Sequence, residues 1–417
     1  MFEFFQNYFF VLLGNGAASV LSFLISVLLS RSMTVEGFGA YSLFFAILVL
    51  VWQIPAFIDS AYVRYARSAE AGEARDYLRV NLVFKIRAAA MILGLSPLAG
   101  FGLARWVVPG KADFAILVMA IAGGTFLTFL TSLTADFQSR EKYAGYALGN
   151  IVYYIGVLAV LGLLSRQGRI TASMAGLAFL AVAVATGGAA FLVLARRAWP
   201  LVPLAAEAAA RMRRLGRWIL YFGLLTVILQ RVDILIVGHF FSRSDLGIYA
   251  AASRLQSSLG IFLNAAGSIY LPKAALAAKS RASMRNYRDE AFLLTSLVLT
   301  ALAGLIVFAP WMVSLFFGAP YAGAAGPVRA LLLGSIPQVL ALPLTYLFYG
   351  LNDSFSNFAG MAVCLAVNLA FNMTLTPHIG LTGPGWALGA GYLAYLAYVV
   401  AALSLRRMHR KRMAELG

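Results

Sequence analysis

LSRSMTVEGFGAY (Leu29–Tyr41) and VGHFFSRSDLGIY (Val237–Tyr249) stand 208 residues apart in the chain. That shift aligns Gly39 with Gly247 and Tyr41 with Tyr249, each after an acidic turn: Glu36 in the first copy, Asp245 one place later in the second. A single G-x-Y match is common in any sequence. This one gains weight from its position, because in each half it falls at the turn between the first and second long apolar runs. A weaker match places Phe137–Lys142 near Tyr349–Ser354 at a shift of 212. The chain therefore reads as one unit written twice, an N-terminal lobe over 1–210 and a C-terminal lobe over 211–417.

The runs between these turns set the fold class. Of 417 residues, 61% are hydrophobic and 12% charged, where an ordinary globular chain carries about 25% charge. The apolar runs are longer than a soluble helix needs. They place transmembrane spans at 8–30, 38–62, 84–106, 112–135, 144–165, 171–195, 217–240, 247–270, 291–316, 327–349, 356–376 and 383–404. Only helices or closed barrels satisfy their backbone in lipid. Runs such as Phe44–Trp52, Val157–Leu164 and Leu297–Phe308 lack the alternation of a barrel strand. The expectation is an all-α membrane protein of about 12 transmembrane helices in two six-helix lobes. An even number of spans per lobe makes the repeat parallel, an arrangement used for alternating access.

The net charge of +17 would suggest nucleic acid in a soluble protein, but its placement argues otherwise. With the N-terminus inside, 24 of the 33 Lys and Arg residues fall in inner segments and seven in outer ones; Arg231 and Arg254 lie within spans. Positive charge concentrates on the cytoplasmic side of membrane proteins. Both termini are therefore expected in the cytoplasm, in a multi-pass protein of the inner (plasma) membrane. Attraction to membrane lipids is a secondary use of the charge. The N-terminal Met1–Gln6 carries Glu3 and no basic region, so the first run is read as a retained span. The single cysteine, Cys364, permits no intramolecular disulfide. Ala205–Leu215, in the longest connection, is expected to lie as a helix along the cytoplasmic surface.

The same residues resemble a known family. Leu28–Tyr41, with Arg31, Gly37, Gly39 and Tyr41, and then Arg64 after the second span, resembles the start of Wzx-type polysaccharide flippases. Asp233, Gly238, Gly247, Tyr249, Ala252, Arg254 and Pro272 resemble the corresponding stretch of the second half. The resemblance implies membership of the multidrug/oligosaccharidyl-lipid/polysaccharide exporter superfamily, whose two lobes surround a cavity open to one side at a time. The implied substrate is a lipid-linked oligosaccharide on a polyprenyl diphosphate, moved from the cytoplasmic to the outer leaflet. The implied partners are that substrate, membrane lipids and membrane proteins of glycan assembly, with no nucleic acid.

Ionisable groups inside spans cost about 2.5–3.5 kcal/mol at the bilayer centre and require a reason. The seventh span carries Gln230, Arg231 and Asp233, and the eighth carries Arg254. Asp233 and Arg254 each lie roughly ten residues from the outer turn near Ser242–Asp245, about 15 Å deep at 1.5 Å per residue. One reading makes them a buried pair fixing the hairpin. Another makes Arg231 or Arg254 a cavity-facing guanidinium that holds a diphosphate bidentately. Arg231 and Asp233 project in opposite directions and are not natural partners. The repeat mates of the three charged positions are Phe23, Ile25 and Ala46, which confines the charge to one lobe. Asn368 and Asn372, one turn apart, serve either interhelical hydrogen bonding or sugar contact, and Asn15 and Asn264 are open to the same two roles. Asp59 and Asp136 are read as solvated at cytoplasmic span ends. Pro55, Pro97, Pro337 and Pro343 are candidate hinges or kinks.

No CxxC, HExxH or Walker A pattern is present, and His239, His378 and His409 are scattered. No catalytic residues, metal or cofactor are expected, and an ion gradient or substrate flux would drive transport. A cation-coupled multidrug exporter is the nearest alternative, although the first span lacks an acidic residue. A membrane glycan polymerase or ligase should carry a sizeable polar outer loop, whereas Phe317–Gly326 is mostly Gly, Ala and Pro.

Overall fold

A computed structural model describes residues 2–166, 168, 170–201, 205–277, 281–351 and 353–416. Arg169 and Lys279, counted above among the loop charges, lie outside it, as do the side chains of Pro272, Tyr349 and the basic C-terminal run. The first half runs α1 (Phe2–Ser32), α2 (Val35–Ala66), α3 (Ala71–Gly102, continued by one π-helical segment, Leu103–Val107), α4 (Phe114–Ser139), α5 (Tyr143–Ser165) and α6 (Ala172–Ala198). The second runs α7 (Ala206–Phe240), α8 (Arg243–Ser257), α9 (Leu259–Ala277), α10 (Arg281–Phe316), α11 (Ala325–Gly334), α12 (Ile336–Gly350), α13 (Ser354–Ile379) and α14 (Gly383–Leu416). Among the described residues every long element is a helix. Among the described residues ten segments are long and apolar enough to cross a membrane. One of them, Phe355–Leu405, holds both α13 and α14, and the broken pair α8–α9 adds the twelfth pass.

The repeat is visible in the caps. Thr34 accepts a hydrogen bond from Gly37 N (3.1 Å) and starts α2. Ser242, 208 residues on, starts α8 through a reciprocal box, its Oγ accepting from Asp245 N (3.1 Å) and its N donating to Asp245 Oδ2 (3.2 Å). The α4–α5 connection, Ser139 to Tyr143, recurs 211 residues later between Gly350 and Ser354.

The halves differ where helices break. Helix α2 is continuous, but its counterpart breaks at Ser258 into α8 and α9; α4 is continuous, but its counterpart breaks at Ser335 into α11 and α12. Pro337, in the first turn of α12, has no N–H to donate to the preceding turn and so removes a hydrogen bond that would tie α12 to α11. Pro55, Pro97 and Pro343 sit inside unbroken helices. The surface helix expected over Ala205–Leu215 is the start of α7, continuous with the span. The third helix begins at Ala71 rather than at residue 84; of its basic residues Lys85 is buried and Arg79 half-buried, whereas Arg75 and Arg87 are exposed.

By contacts the chain forms two compact units, Met1–Val227 with Gly238–Gly247, and Ile228–Val237 with Ile248–Gly417. In the first, α4 packs on α2, α3, α5 and α6, and α1 packs on α5. In the second, α14 packs on α11, α12 and α13, while α9 packs on α10 and α12. The turn after α7 joins the first unit through named contacts. His239 Nδ1 lies 2.9 Å from Val107 O, and Arg243 Nε donates to Gly110 O (2.7 Å). A Cβ on Gly39 would strike Arg243 O and stand 3.0 Å from Gly247 N; one on Gly247 would strike Val35 O. The two glycines that revealed the repeat thus face each other, and the close approach of their backbones explains both.

Candidate functional site

In the second unit, Asp233 on α7 is held from α8. Its Oδ2 accepts a short hydrogen bond from the hydroxyl of Tyr249, which is fully buried, and its Oδ1 accepts from Ile234 N (2.8 Å). The repeat tyrosine therefore clips the hairpin to the carboxylate. Its mate Tyr41 is equally buried but lies in an aromatic cluster with Phe38, Phe44, Phe45 and Phe179. Arg231 is close enough to Asp233 to act on it through its charge, although spacing along the helix argued against that pairing. Both Arg231 and Arg254 are partly buried.

The four asparagines separate into two kinds. Asn372 Nδ2 donates to Asn368 Oδ1 (3.3 Å), and Thr376 Oγ1 donates to Asn372 Oδ1 (2.9 Å). This ladder is closed off: Asn368 is 2% exposed and Asn372 is 0%, and a Cβ on Gly391 of α14 would stand 3.0 Å from Asn368 Cβ. Asn15 is exposed on α1, and its Oδ1 accepts from Tyr146 Oη and Asn150 Nδ2 of α5, both at 3.1 Å. Asn264 is exposed on α9.

The first unit holds a polar network that sequence reading placed in water. Asp59 and Asp136 are buried, at 7% and 0% exposure, and Lys85, counted as a loop charge, is 0% exposed near the middle of α3. Lys85 Nζ donates to Asp59 Oδ2 (2.6 Å), Thr128 O (2.7 Å) and Thr131 Oγ1 (3.1 Å). Asp59 Oδ1 accepts from Asn81 Nδ2 (2.9 Å) and Ser132 Oγ (3.1 Å). All three ammonium protons and both carboxylate oxygens are thereby used, which is what a buried ion pair needs to offset its desolvation. One turn further along α2 and α4, Tyr62 Oη and Arg140 Nε donate to Asp136 Oδ1 (2.8 and 3.0 Å), and Arg197 donates to Oδ2. The signal was present but lay across helices. Asp59 and Tyr62, Asn81 and Lys85, and Ser132 and Asp136 are each one turn apart, so α2, α3 and α4 each carry a polar stripe.

A family model described as a polysaccharide biosynthesis protein matches residues 28–325. Comparison with curated protein sequences gives no match. Solved structures share the fold. The lipid II flippase MurJ in an inward closed conformation aligns with TM-score 0.75 at 14% identity, over 95% of this chain and 87% of that one. An inward-facing multidrug resistance MATE family transporter of the MOP superfamily aligns at 0.73 and 14%, over 95% and 96%. A MOP superfamily transporter from Pyrococcus furiosus aligns at 0.60 and 14%, over 96% and 94%.

Proposed function

The chain belongs to the polysaccharide biosynthesis protein family, and from that premise we propose that it is a flippase. Its cargo would be an oligosaccharide on a polyprenyl diphosphate, carried by alternating access from the cytoplasmic to the outer leaflet of the inner membrane for assembly of a cell-surface polysaccharide such as lipopolysaccharide or exopolysaccharide. The observation that carries this reading is the family match over 28–325 in a chain whose fold is that of MOP superfamily transporters.

In this reading Arg231 and Arg254 of the second unit hold the diphosphate, because a planar guanidinium offers paired donors to phosphate oxygens. Asp233, clipped by Tyr249, sets where α7 presents Arg231. Exposed Asn15, with Tyr146 and Asn150, and exposed Asn264 offer hydroxyl and amide groups to sugar. Asn368 and Asn372 serve packing of α13 on α14. The segment expected to be an outer loop supports a carrier rather than a polymerase: Ala319–Ala324 is a short 3-10 helix with Tyr321 buried. The MATE likeness supports the second reading, a cation-coupled multidrug exporter.

Lipid extraction from a host lacking this protein separates the two. The flippase reading expects a complete polyprenyl-linked repeat unit to accumulate on the cytoplasmic leaflet, with loss of surface glycan. An unchanged lipid pool with altered sensitivity to cationic drugs would transfer the protein to the exporters.

A further inference from the structure

A cavity of about 580 Å³ opens in the first unit where α2, α3, α4 and α6 end, lined by Tyr62, Arg75, Arg140, Arg196, Arg197 and Trp199 among others. Four guanidiniums border it, and two of them, Arg140 and Arg197, are bound by the carboxylate of Asp136. Two other arginines of these helix ends are committed elsewhere. Arg67 pairs with Glu141 (2.5 Å). Arg79 bonds Asp76 (2.7 Å) and the carbonyls of Ala198 (2.9 Å) and Trp199 (3.5 Å), which fixes the end of α6.

Asp136 is completely buried and binds both Arg140 and Arg197. One negative charge thus orients two guanidiniums and leaves the pair with an excess positive charge. Arg197 is further fixed over the Phe137 ring, 5.9 Å from its centroid. Arg75 and Arg196 are exposed at the mouth and have no acceptor among the described residues. The wall is therefore preorganised and the rim uncommitted. Trp199, 70% exposed, stands on the lip, and indoles collect at headgroup depth in membranes.

We propose that this cavity binds the phosphate of an anionic lipid headgroup. Arg140 and Arg197 would form the fixed floor, Arg75 and Arg196 would close on the phosphate oxygens, and Trp199 would rest among the headgroups. Guanidinium suits the task through its bidentate donors, and the volume is that of a small-molecule pocket, within about 300–1,000 Å³. The residues of this site belong to the first unit, and the proposal does not depend on what the protein transports.

The test uses the full-length protein in neutral detergent, with bound dioctanoyl phosphatidylglycerol counted by native mass spectrometry and dioctanoyl phosphatidylcholine as the uncharged-headgroup control. Saturable binding of one phosphatidylglycerol, weakened at least about tenfold in Arg75→Gln/Arg196→Gln, is the expected result. The exposed pair on α7, altered as Arg213→Gln/Arg214→Gln, should leave it unchanged. Displacement by inorganic diphosphate would assign recognition to the phosphate anion itself. Displacement by farnesyl diphosphate but not by inorganic diphosphate would assign it to a phosphate carried on a lipid. Binding that never saturates, or that falls equally in the two double variants, would reduce the site to general surface charge and overturn the proposal.

Discussion

Lys85 is completely buried near the middle of a membrane helix, and its neighbourhood explains how the fold tolerates it. Its three acceptors come from α2 and α4, and the Asp59 carboxylate that neutralises it is held by two more donors. Removing one partner strands the other in a low dielectric. Lys85→Met is therefore expected to lower stability by about 3–5 kcal/mol, read as a fall in the thermal unfolding midpoint of the purified protein. Asp59→Leu combined with Lys85→Met removes both charges and should recover most of that loss. A double variant as unstable as the single would show that the network matters for shape rather than charge. Arg231 and Arg254 present the opposite case, since nothing in the proposed role requires them for folding. Arg231→Ala and Arg254→Ala should each leave the protein in the membrane at normal abundance while surface glycan is lost. Full glycan display by both variants would end the phosphate-holding role assigned to them.

At the scale of elements, the crossing of the two repeat turns is the tightest feature that the sequence disclosed. Gly39 and Gly247 are required because main chain, which cannot move aside as a side-chain tip can, occupies the space of each missing Cβ. Gly39→Ala should cost about 1–3 kcal/mol by overpacking, seen as a lowered unfolding midpoint; Gly16→Ala, where a Cβ meets nothing within 4 Å, should leave the midpoint unchanged. The repeat, the helix type and most helix ends were legible because they follow from local rules: apolar length, caps and turn glycines. The break at Ser335 was half legible, since Pro337 marks it, whereas the break at Ser258 has no proline and was read as one continuous span. Helix α3 was misjudged for a different reason. Its charges resembled a loop, and only the facing stripes on α2 and α4 convert Asn81 and Lys85 into a buried face. The same limit hid the burial of Asp136, whose partners Tyr62 and Arg197 lie 74 and 61 residues away. Tyr249 was legible as a repeat mark but not as the donor to Asp233, because its mate Tyr41 meets aromatic rings instead.

For the whole molecule, the distribution of charge argues an orientation. The connections between α2 and α3, α4 and α5, and α6 and α7, with the helix ends beside them, carry Arg64, Arg67, Arg75, Arg79, Arg140, Lys142, Arg196 and Arg197, eight of the fifteen Lys and Arg residues of 1–210. The structure draws these ends together in the first unit: Arg67 bridges to Glu141 (2.5 Å), and Arg211 bonds Glu73 and Tyr77 (3.1 and 3.2 Å). Burial of Lys85 removes one charge from the inner tally and leaves the bias intact. Moving such a cluster across the bilayer during insertion is costly, so this end should remain in the cytoplasm. Alkaline phosphatase, which is active only where its disulfides form, reports the side directly. Fusions after Gly110 and Gly318, at the opposite ends of the spans, are expected to be active. Fusions after Glu70, Glu141 and Leu416 are expected to be inactive. The reverse pattern would invert the molecule and place the arginine-lined cavity on the outer leaflet. A mixed pattern, active at both Glu70 and Gly110, would mean that the stretch between them does not cross the membrane once. Because α3 and its π-helical segment fill that stretch, such a result would contradict the pass count and the orientation together.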